Sequence, residues 1–354
     1  MKFNKKKIVY AIMALLVFIP ALLVLFFLLY TPSPSEITLS GDSARMGETF
    51  GRETGFRTKL ILRYYIKSFI CQGSDKLYDL RKQKALEKTR FLTAEFQEEM
   101  KAISKRSGID PGAIAYGNSF LDMGNYSGGC RSVVVSEKDS FLHSHNLDWD
   151  NIAGLAGWTT MIVRRNPSDG RCRTVSIGFS GMIGALDVIN EKGIAMSFNQ
   201  LGFGNGNYTE PVFIMLRRIC ENSCSFNEAR EKILKASEGM PFIITLSDAN
   251  SGEASVFERT RGGNEIAERK MKGRCIGAMN LAQADSSKES VLDQSLSGAV
   301  PNGVEGLKRI LSEKKVMMDS NIYSVIFDFK SNSLYLASGE VPAAKGTYRK
   351  YKLF

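Results

Sequence analysis

A cysteine preceded by two glycines is the part of this sequence whose surroundings best fit covalent chemistry. Cys130 follows Gly128 and Gly129 and opens a strand-like run, and the segment His-Asn-Leu-Asp from His145 to Asp148 comes shortly after it. A thiolate is a strong nucleophile, and cleavage before Cys130 would release an α-amino group with a pKa of about 8 that can accept the thiol proton. This arrangement predicts one residue that supplies both the nucleophile and the base.

Several blocks of sequence resemble, in the expected order, those of the cysteine N-terminal-nucleophile (Ntn) amidases. The matching blocks are residues 129–135, 143–149, 181–184, 190–195, 198–200, a helix-like 216–219, 246–260 and 278–280. On these residues the chain resembles the linear amide C–N hydrolase group, which contains choloylglycine hydrolases, acid ceramidase, N-acylethanolamine acid amidase and isopenicillin N acyltransferase. Ordered blocks are stronger evidence than one short motif.

The resemblance implies roles for particular side chains and requires neither a cofactor nor a metal ion. Cys130 matches the nucleophile, and Asp148 matches the carboxylate that holds the released α-amino group through a charge-assisted hydrogen bond. Asn199 and Asn280 match two amides beside the scissile carbonyl, where each donor to the oxyanion supplies about 3 kcal/mol. Together they describe an amidase that cuts its own chain between Gly129 and Cys130 and then hydrolyses N-acyl amides through a Cys130 thioester.

Three departures from the family pattern leave other functions open. His145 stands where most relatives carry arginine, although the isopenicillin N acyltransferase branch also lacks it; here His145 would polarise a substrate carbonyl or hold the cysteine. Arg131 replaces a small hydroxyl residue, and an arginine expected soon after Asn280 is missing. The alternatives are an acyltransferase using the same thioester, a Cys130–His145 thiol dyad without chain cleavage, and a membrane-tethered binding protein that has lost the reaction.

The residue inventory argues against other classes of protein. The net charge of +10 includes four lysines within the first seven residues, and the remaining basic residues form no stripe, which disfavours nucleic-acid binding. Two histidines in the whole chain are too few for a typical hydrolytic zinc site. A serine nucleophile elbow would need glycine where Met182 stands. The cysteines other than Cys130 are expected to be mostly buried free thiols, with a bridge from Cys71 as the alternative.

The N-terminus predicts a membrane anchor. Residues 8–30 form an uncharged apolar run of 23 residues, which as a helix would span a hydrocarbon core of about 30 Å. The preceding lysines predict a cytoplasmic N-terminus and a catalytic body on the periplasmic or extracellular side, and bulky residues up to Tyr30 leave no evident signal-peptide cleavage site. Anchoring favours a small-molecule N-acyl amide of lipid-like character as the substrate.

The remaining sequence divides into a linker, a helical segment and a mixed core. Residues 31–50 are rich in Ser, Pro, Gly and Thr and predict a linker after the tail and anchor at 1–30. Residues 51–129 predict a helical pro-segment, because apolar residues recur at helical spacing between 75 and 105. Residues 130–354 alternate β-rich runs with helices, which indicates an α+β class. The resemblance implies a four-layer αββα sandwich for this core.

Overall fold

Two stacked β-sheets form the centre of the structure, which is a computed structural model. It describes residues 18–19, 34–124, 128–202, 205–236, 239–260, 265–280, 292, 296 and 302–354. Apolar residues from both sheets share one cluster between them, which includes Val134, Ile243, Val256 and Ile276. Burial of this interface fixes the relative position of the strands that carry the site.

One sheet has eight strands among the described residues. Adjacent strands of this sheet pair antiparallel, except that the first strand of the chain, Ser35–Gly41, pairs parallel with the strand Thr160–Pro167. The strand order is β1 (Ser35–Gly41), β4 (Thr160–Pro167), β5 (Thr174–Phe179), β6 (Asp187–Asn190), β7 (Ile194–Gln200), β8 (Phe242–Asp248), β9 (Glu253–Arg259) and β10 (Ile266–Lys270).

The other sheet has six described strands, all antiparallel. Their order is β11 (Cys275–Met279), β2 (Gly129–Ser136), β3 (Phe141–Asp148), β12 (Asn321–Asp328), β13 (Ser333–Ser338) and β14 (Arg349–Lys352). On β2, Val133 and Val135 pack with the helical layer, whereas Val134 packs against the eight-stranded sheet. The two-residue period of a strand therefore places Cys130 and Ser132 on the inner face, between the sheets.

Helices cover both outer faces of the stacked sheets. α6 (Val212–Glu221) and α7 (Phe226–Leu234) pack on strands β6 to β9, and α8 (Gly303–Leu311) packs on β3. This gives the αββα layering expected of an α+β Ntn-hydrolase sandwich. The described helices are α1 (Ser43–Leu60), which continues as a π-helix (Ile61–Ile70), α2 (Asp75–Lys88), α3 (Ala94–Ser107), α4 (Pro111–Gly117), α5 (Leu155–Thr159), α6 (Val212–Glu221), α7 (Phe226–Leu234) and α8 (Gly303–Leu311).

The segment predicted as a linker at 31–50 is instead folded from residue 35 onward. Ile37 and Leu39 are buried and alternate with Glu36 and Thr38 on β1, a two-residue period that the polar composition concealed. The Asp42 side chain then accepts a hydrogen bond from the backbone N–H of residue 45 and starts α1. The chain before the nucleophile is thus not entirely helical, because it contributes an edge strand to the core sheet.

Local signals placed the later elements well but missed one break. The helical pattern predicted for 75–105 forms two helices, α2 and α3, because a short 3₁₀ turn at Thr89–Phe91 interrupts it. The Ser-Phe-Asn-Glu spacing at 225–228 is typical of a helix start, and the Ser225 hydroxyl accepts a hydrogen bond from the Glu228 N–H where α7 begins. Asn302 is the N-cap of α8.

The predicted anchor at 8–30 lies outside the described residues, apart from residues 18–19. Within the described ranges, no helix combines the length and the apolar character needed to cross a bilayer.

Glycines at four-residue intervals let α1 and α3 pack closely. A Cβ atom on Gly47 would overlap the Glu99 carbonyl oxygen, and one on Gly51 would lie 2.8 Å from the Ile103 carbonyl oxygen. Gly55 meets Ser107 in the same way. This crossing holds α3, and therefore Glu99, against the core.

We expect Gly47→Ala to lower the free energy of unfolding by about 1–3 kcal/mol, because the added methyl group forces the two helices apart. The gain in helix propensity from removing a glycine, about 1 kcal/mol, opposes this only partly. Urea denaturation measures the difference. The matched control is Glu48→Ala, an exposed neighbour on the same helix, for which a change within about 0.5 kcal/mol is expected. Equal stability of the Gly47→Ala and Glu48→Ala variants would contradict the close packing.

Candidate active site

Cys130 lies near the start of β2, on the inner face, and is fully buried. Its backbone N–H donates a hydrogen bond to the Asn280 side-chain oxygen at the end of β11. Gly129 is still part of β2 and pairs with Asp148 on β3. The peptide bond before Cys130 is therefore held in an ordered strand and not in a surface loop.

Packing explains the two glycines that precede Cys130. A Cβ atom on Gly128 would overlap the indole nitrogen of Trp149. A Cβ atom on Gly129 would overlap the Met318 sulfur and would lie 3.1 Å from the Asp148 Cβ. Any side chain at either position would push this segment away from β3.

The two asparagines predicted for the site lie where β7 and β11 meet beside the start of β2. The Asn280 Nδ2 group donates to the Gln200 carbonyl oxygen at 2.5 Å, which ties β11 to β7. Asn199 on β7 accepts a 2.5 Å hydrogen bond from the Ser132 hydroxyl, and its Nδ2 group donates to the Ala278 carbonyl oxygen at 3.3 Å. Both amides are adjacent to the first residues of β2, with their donors engaged by backbone carbonyls in the uncut chain.

Asp148 lies beside the junction and is paired with a residue that departs from the family pattern. The Arg131 guanidinium is 3.2 Å from Asp148 Oδ2 and also donates to the Cys130 carbonyl oxygen at 3.3 Å. Burial raises the pKa of the Asp148 carboxyl above its usual range, and the Arg131 charge opposes that rise. Arg131 thus provides a positive charge next to the carboxylate that the resemblance assigns to the α-amino group.

His145 is fully buried on the inner face of β3 and is oriented by a carboxylate that sequence reasoning missed. Its Nδ1 atom is 2.9 Å from Asp187 Oδ2, and Asp187 is fully buried at the start of β6. The other ring nitrogen, Nε2, is buried and makes no hydrogen bond of regular geometry. Interaction with the Cys130 side chain nevertheless acts on the ring.

Two hydroxyl groups complete the surroundings of Asp187. Tyr323 on β12 donates to Oδ2 at 2.6 Å, and Ser197 on β7 donates to Oδ1 at 2.5 Å. Ser197 also contacts His143 Nε2 at 2.8 Å, while His143 Nδ1 contacts Ser247 at 2.7 Å. The one available signal was an aspartate inside the apolar run Ala-Leu-Asp-Val-Ile. Its three partners, His145, Ser197 and Tyr323, come from three different strands.

The pKa values of the two buried histidines are shifted in opposite directions. Burial lowers the pKa of His143 to about 3, so its ring is neutral. Burial acts in the same direction on His145, but the Asp187 carboxylate outweighs it and, together with Cys130, raises the pKa of His145 to about 10. His145 therefore carries a proton at neutral pH between Asp187 and Cys130.

An apolar cavity of about 40 Å³ lies between the helical segment and the core, close to the junction. The π-helix contributes Ile61, Leu62, Tyr65 and Ile66, and the core contributes Trp149, Phe179 and Met182 among its lining residues. Trp149 follows Asp148 directly and also packs against Gly128. Trp149 in the cavity wall therefore contacts Gly128, which precedes Cys130 by two residues.

All six cysteines are free thiols in the structure. The alternative of a bridge from Cys71 to a later cysteine is not realised, because the buried Cys71 sulfur instead lies 3.4 Å from the Tyr116 hydroxyl, within the helical segment. Buried ion pairs, described below, join that segment to the core.

A family model and several known proteins are similar in sequence to this chain. The family model "Acyl-coenzyme A:6-aminopenicillanic acid acyl-transferase" matches residues 135–297. Acid ceramidase of Balaenoptera acutorostrata scammoni is 25% identical over 226 residues, 56% of this chain and 56% of that protein. The N-acylethanolamine-hydrolyzing acid amidase of Caenorhabditis elegans is 26% identical over 194 residues, 49% of this chain and 53% of that protein. The chain thus spans about half the length of the curated relatives it matches.

Two solved structures are also similar. The Caenorhabditis elegans N-acylethanolamine-hydrolyzing acid amidase ortholog has a TM-score of 0.47 at 18% identity, covering 56% of this chain and 92% of its own. A mutant of conjugated bile acid hydrolase from Clostridium perfringens has a TM-score of 0.43 at 13% identity, covering 63% of this chain and 92% of its own. The family model and the relatives fit the linear amide C–N hydrolase group of Ntn hydrolases, so the resemblance recognised from the sequence blocks is confirmed.

Proposed function

We propose that this chain is a cysteine Ntn amidase that hydrolyses the linear C–N bond of an N-acyl amide after cutting itself between Gly129 and Cys130. One observation carries the proposal: every other predicted site residue interacts with one of the first residues of β2. Asn280 and His145 interact with Cys130. The other two contacts join Asp148 to Arg131 and Asn199 to Ser132.

The geometry supports a reaction in two stages. In the first, the Cys130 sulfur attacks the Gly129 carbonyl carbon, the C–N bond breaks, and water hydrolyses the thioester to leave Cys130 with a free α-amino group. In the second, the same sulfur attacks a substrate amide, the amine leaves with a proton, and water releases the acyl group as a carboxylic acid. Asp148 would then hold the α-amino group in place through a hydrogen bond, both when that group is an ammonium and when it serves as the base.

The cavity favours a substrate with an apolar acyl chain. Its described lining is largely aliphatic and aromatic, with Thr58, Thr159 and Ser180 among the few polar side chains. Burial of an acyl chain stabilises binding by about 0.8 kcal/mol for each CH₂ group. The relatives named for ceramide and N-acylethanolamine act on lipid amides, which agrees with a lipid-like N-acyl amide here.

Acyl transfer to an amine is the second candidate, because the matching family model is named for an acyltransferase. The same thioester serves both reactions, and the outcome depends on whether water or an amine meets it. Adding a primary amine during turnover and measuring the ratio of new amide to free acid distinguishes the two.

Residues 8–30 are proposed to anchor the protein in a membrane, with the body on the extracytoplasmic side. The support comes from the uncharged apolar run and the lysines before it. Because β1 begins at Ser35, residues 31–34 alone separate the run from the described fold. The body would therefore lie directly against the membrane surface, where lipid amides are concentrated.

The proposal is tested by incubating the folded protein with a panel of N-acyl amides that share one acyl chain and differ in the amine. Release of the fatty acid by the wild type, with a covalent acyl adduct on Cys130 in quenched samples, is the expected result. A folded and self-cleaved protein that releases no acid from any member would contradict the amidase assignment.

We expect Asn280→Ala to lower kcat by about 10²–10³-fold, because it removes an amide from beside the reacting carbonyl. Steady-state rates at saturating substrate measure the change. Asn166→Ala is the matched control, since Asn166 is a partly exposed asparagine at the end of β4 that bonds Ser40. Equal kcat values for the Asn280→Ala variant and the wild type would remove Asn280 from the mechanism.

A further inference from the structure

The self-cleavage step has a chemical requirement that the released α-amino group cannot meet. Before the bond between Gly129 and Cys130 breaks, the Cys130 nitrogen is a peptide N–H, and it donates to Asn280. A peptide nitrogen has no free lone pair to accept the thiol proton. A different group must therefore activate Cys130 in the uncut chain.

His145 has the contacts expected of such a group. Asp187 is 2.9 Å from Nδ1 and fixes the ring, while Nε2 is completely buried and has no regular hydrogen-bond partner. Tyr323 and Ser197 in turn hold the two carboxylate oxygens of Asp187 at 2.6 and 2.5 Å. Cys130 and His145 lie on the neighbouring strands β2 and β3, with both side chains on the inner face. A nucleophile, a base and a third group that orients the base form the arrangement common to thiol and serine nucleophiles.

We propose that His145, positioned by Asp187, takes the Cys130 proton in the uncut chain, so that self-cleavage and amide hydrolysis use different bases. The inference rests on the proposed function and extends it. His145 acts as a catalytic residue of the first reaction, and Asp187 is a positioning residue. After cleavage the α-amino group assumes the role of base, as in the resembling enzymes.

The proton balance of the step closes with residues of this chain. In the uncut chain the proton given up by the Cys130 thiol resides on His145, so the resting pair is a thiolate and an imidazolium. The thiolate forms a bond to the Gly129 carbonyl carbon, the bond from that carbon to the Cys130 nitrogen breaks, and the nitrogen takes one proton to become an amine. The imidazolium supplies that proton and is left neutral, and water then hydrolyses the thioester.

The residue type at position 145 decides whether this route is open. An arginine side chain stays protonated in proteins and cannot accept a proton, whereas an imidazole can. Replacement of arginine by histidine, together with a buried aspartate on the adjacent sheet, therefore adds a base instead of merely removing a guanidinium. The groups that face His145 and set its titration are Asp187 on β6, Cys130 on β2, Tyr323 on β12, and His143 and Asp148 on β3.

The test follows the appearance of the new N-terminus at Cys130 by intact mass in full-length wild type, Asp187→Asn and His145→Ala protein between pH 5 and 10. Cleavage of both variants is expected to be slower by about 10²–10⁴-fold at neutral pH. Asp187→Asn should also lose rate at a lower alkaline pH than the wild type, because its imidazolium loses the proton sooner. Added imidazole should restore cleavage in His145→Ala by filling the vacated site.

Ser144→Ala is the matched control, since Ser144 is the buried neighbour of His145 on β3 but lies on the opposite face of the strand and donates to the Val133 carbonyl oxygen. It should cleave at the wild-type rate. Folded variants of His145 or Asp187 that cleave like the wild type would overturn the inference and leave the amidase proposal standing. A uniform loss at every pH without imidazole rescue would also overturn it. Failure of folded wild type to cleave would overturn both.

Discussion

Cys130→Ala is expected to leave the chain as one uncut polypeptide and to lower N-acyl amide hydrolysis by about 10⁶-fold, the scale seen when a covalent nucleophile is removed. The reason is that one sulfur atom performs both acyl transfers. Cys130 is fully buried within β2, so a smaller apolar side chain fits without a new unsatisfied group. Intact mass and fatty-acid release, measured on the same preparation, check both halves of the expectation.

Cys275→Ala is the matched control for that variant. Cys275 lies on β11, the strand next to β2, and is partly exposed. It should cleave and hydrolyse like the wild type. A Cys130→Ala protein that still hydrolyses amides, or a Cys275→Ala protein that does not, would mean that Cys130 is not the nucleophile.

Arg217→Met is expected to lower the free energy of unfolding by about 3–5 kcal/mol, because it removes a buried cation that pairs with two buried carboxylates and leaves Glu99 with the more distant Arg165 and Glu221 with Arg171. Arg217 on α6 is fully buried, 2.7 Å from Glu99 and 2.6 Å from Glu221. Glu99 belongs to α3 of the helical segment, and Arg165 on β4 lies 3.8 Å from it. These pairs join the helical segment to the core, so the cut form of Arg217→Met should also separate into two chains more easily.

Arg218→Met provides the comparison, since Arg218 is the next residue on α6 and forms a partly exposed pair with Glu210. Such a pair contributes about 0–1 kcal/mol. Urea denaturation of the uncut Cys130→Ala background measures stability, and native mass spectrometry of the cut protein measures dissociation. Similar losses for the Arg217 and Arg218 variants would mean that the buried cluster does not hold the two parts together.

Local sequence patterns anticipated the elements better than the contacts between them. The strand periods, the Ser225 cap and the order of the matching blocks are encoded over a few residues, so they are legible in the chain. β1 was missed because its two buried apolar residues are surrounded by Ser, Thr and Gly. Asp187 was missed for a different reason: its partners His145, Ser197 and Tyr323 meet it only once the two sheets are stacked.

The candidate site also contains contacts that the sequence predicted and one that it did not. The resemblance implied that Asn280 and Asp148 lie near the first residues of β2, and the structure brings them together. That Arg131 pairs with Asp148 was not anticipated, because a contact between residues on neighbouring strands depends on register. A single shift in that register would move Arg131 to the opposite face of the sheet.

The most direct test of the account is intact mass with N-terminal sequencing of the purified wild-type protein, folded and held at mildly acidic to neutral pH. The account predicts two chains, the second beginning at Cys130. A folded wild-type protein that remains one chain throughout, with Gly129 still joined to Cys130, would contradict the N-terminal-nucleophile mechanism.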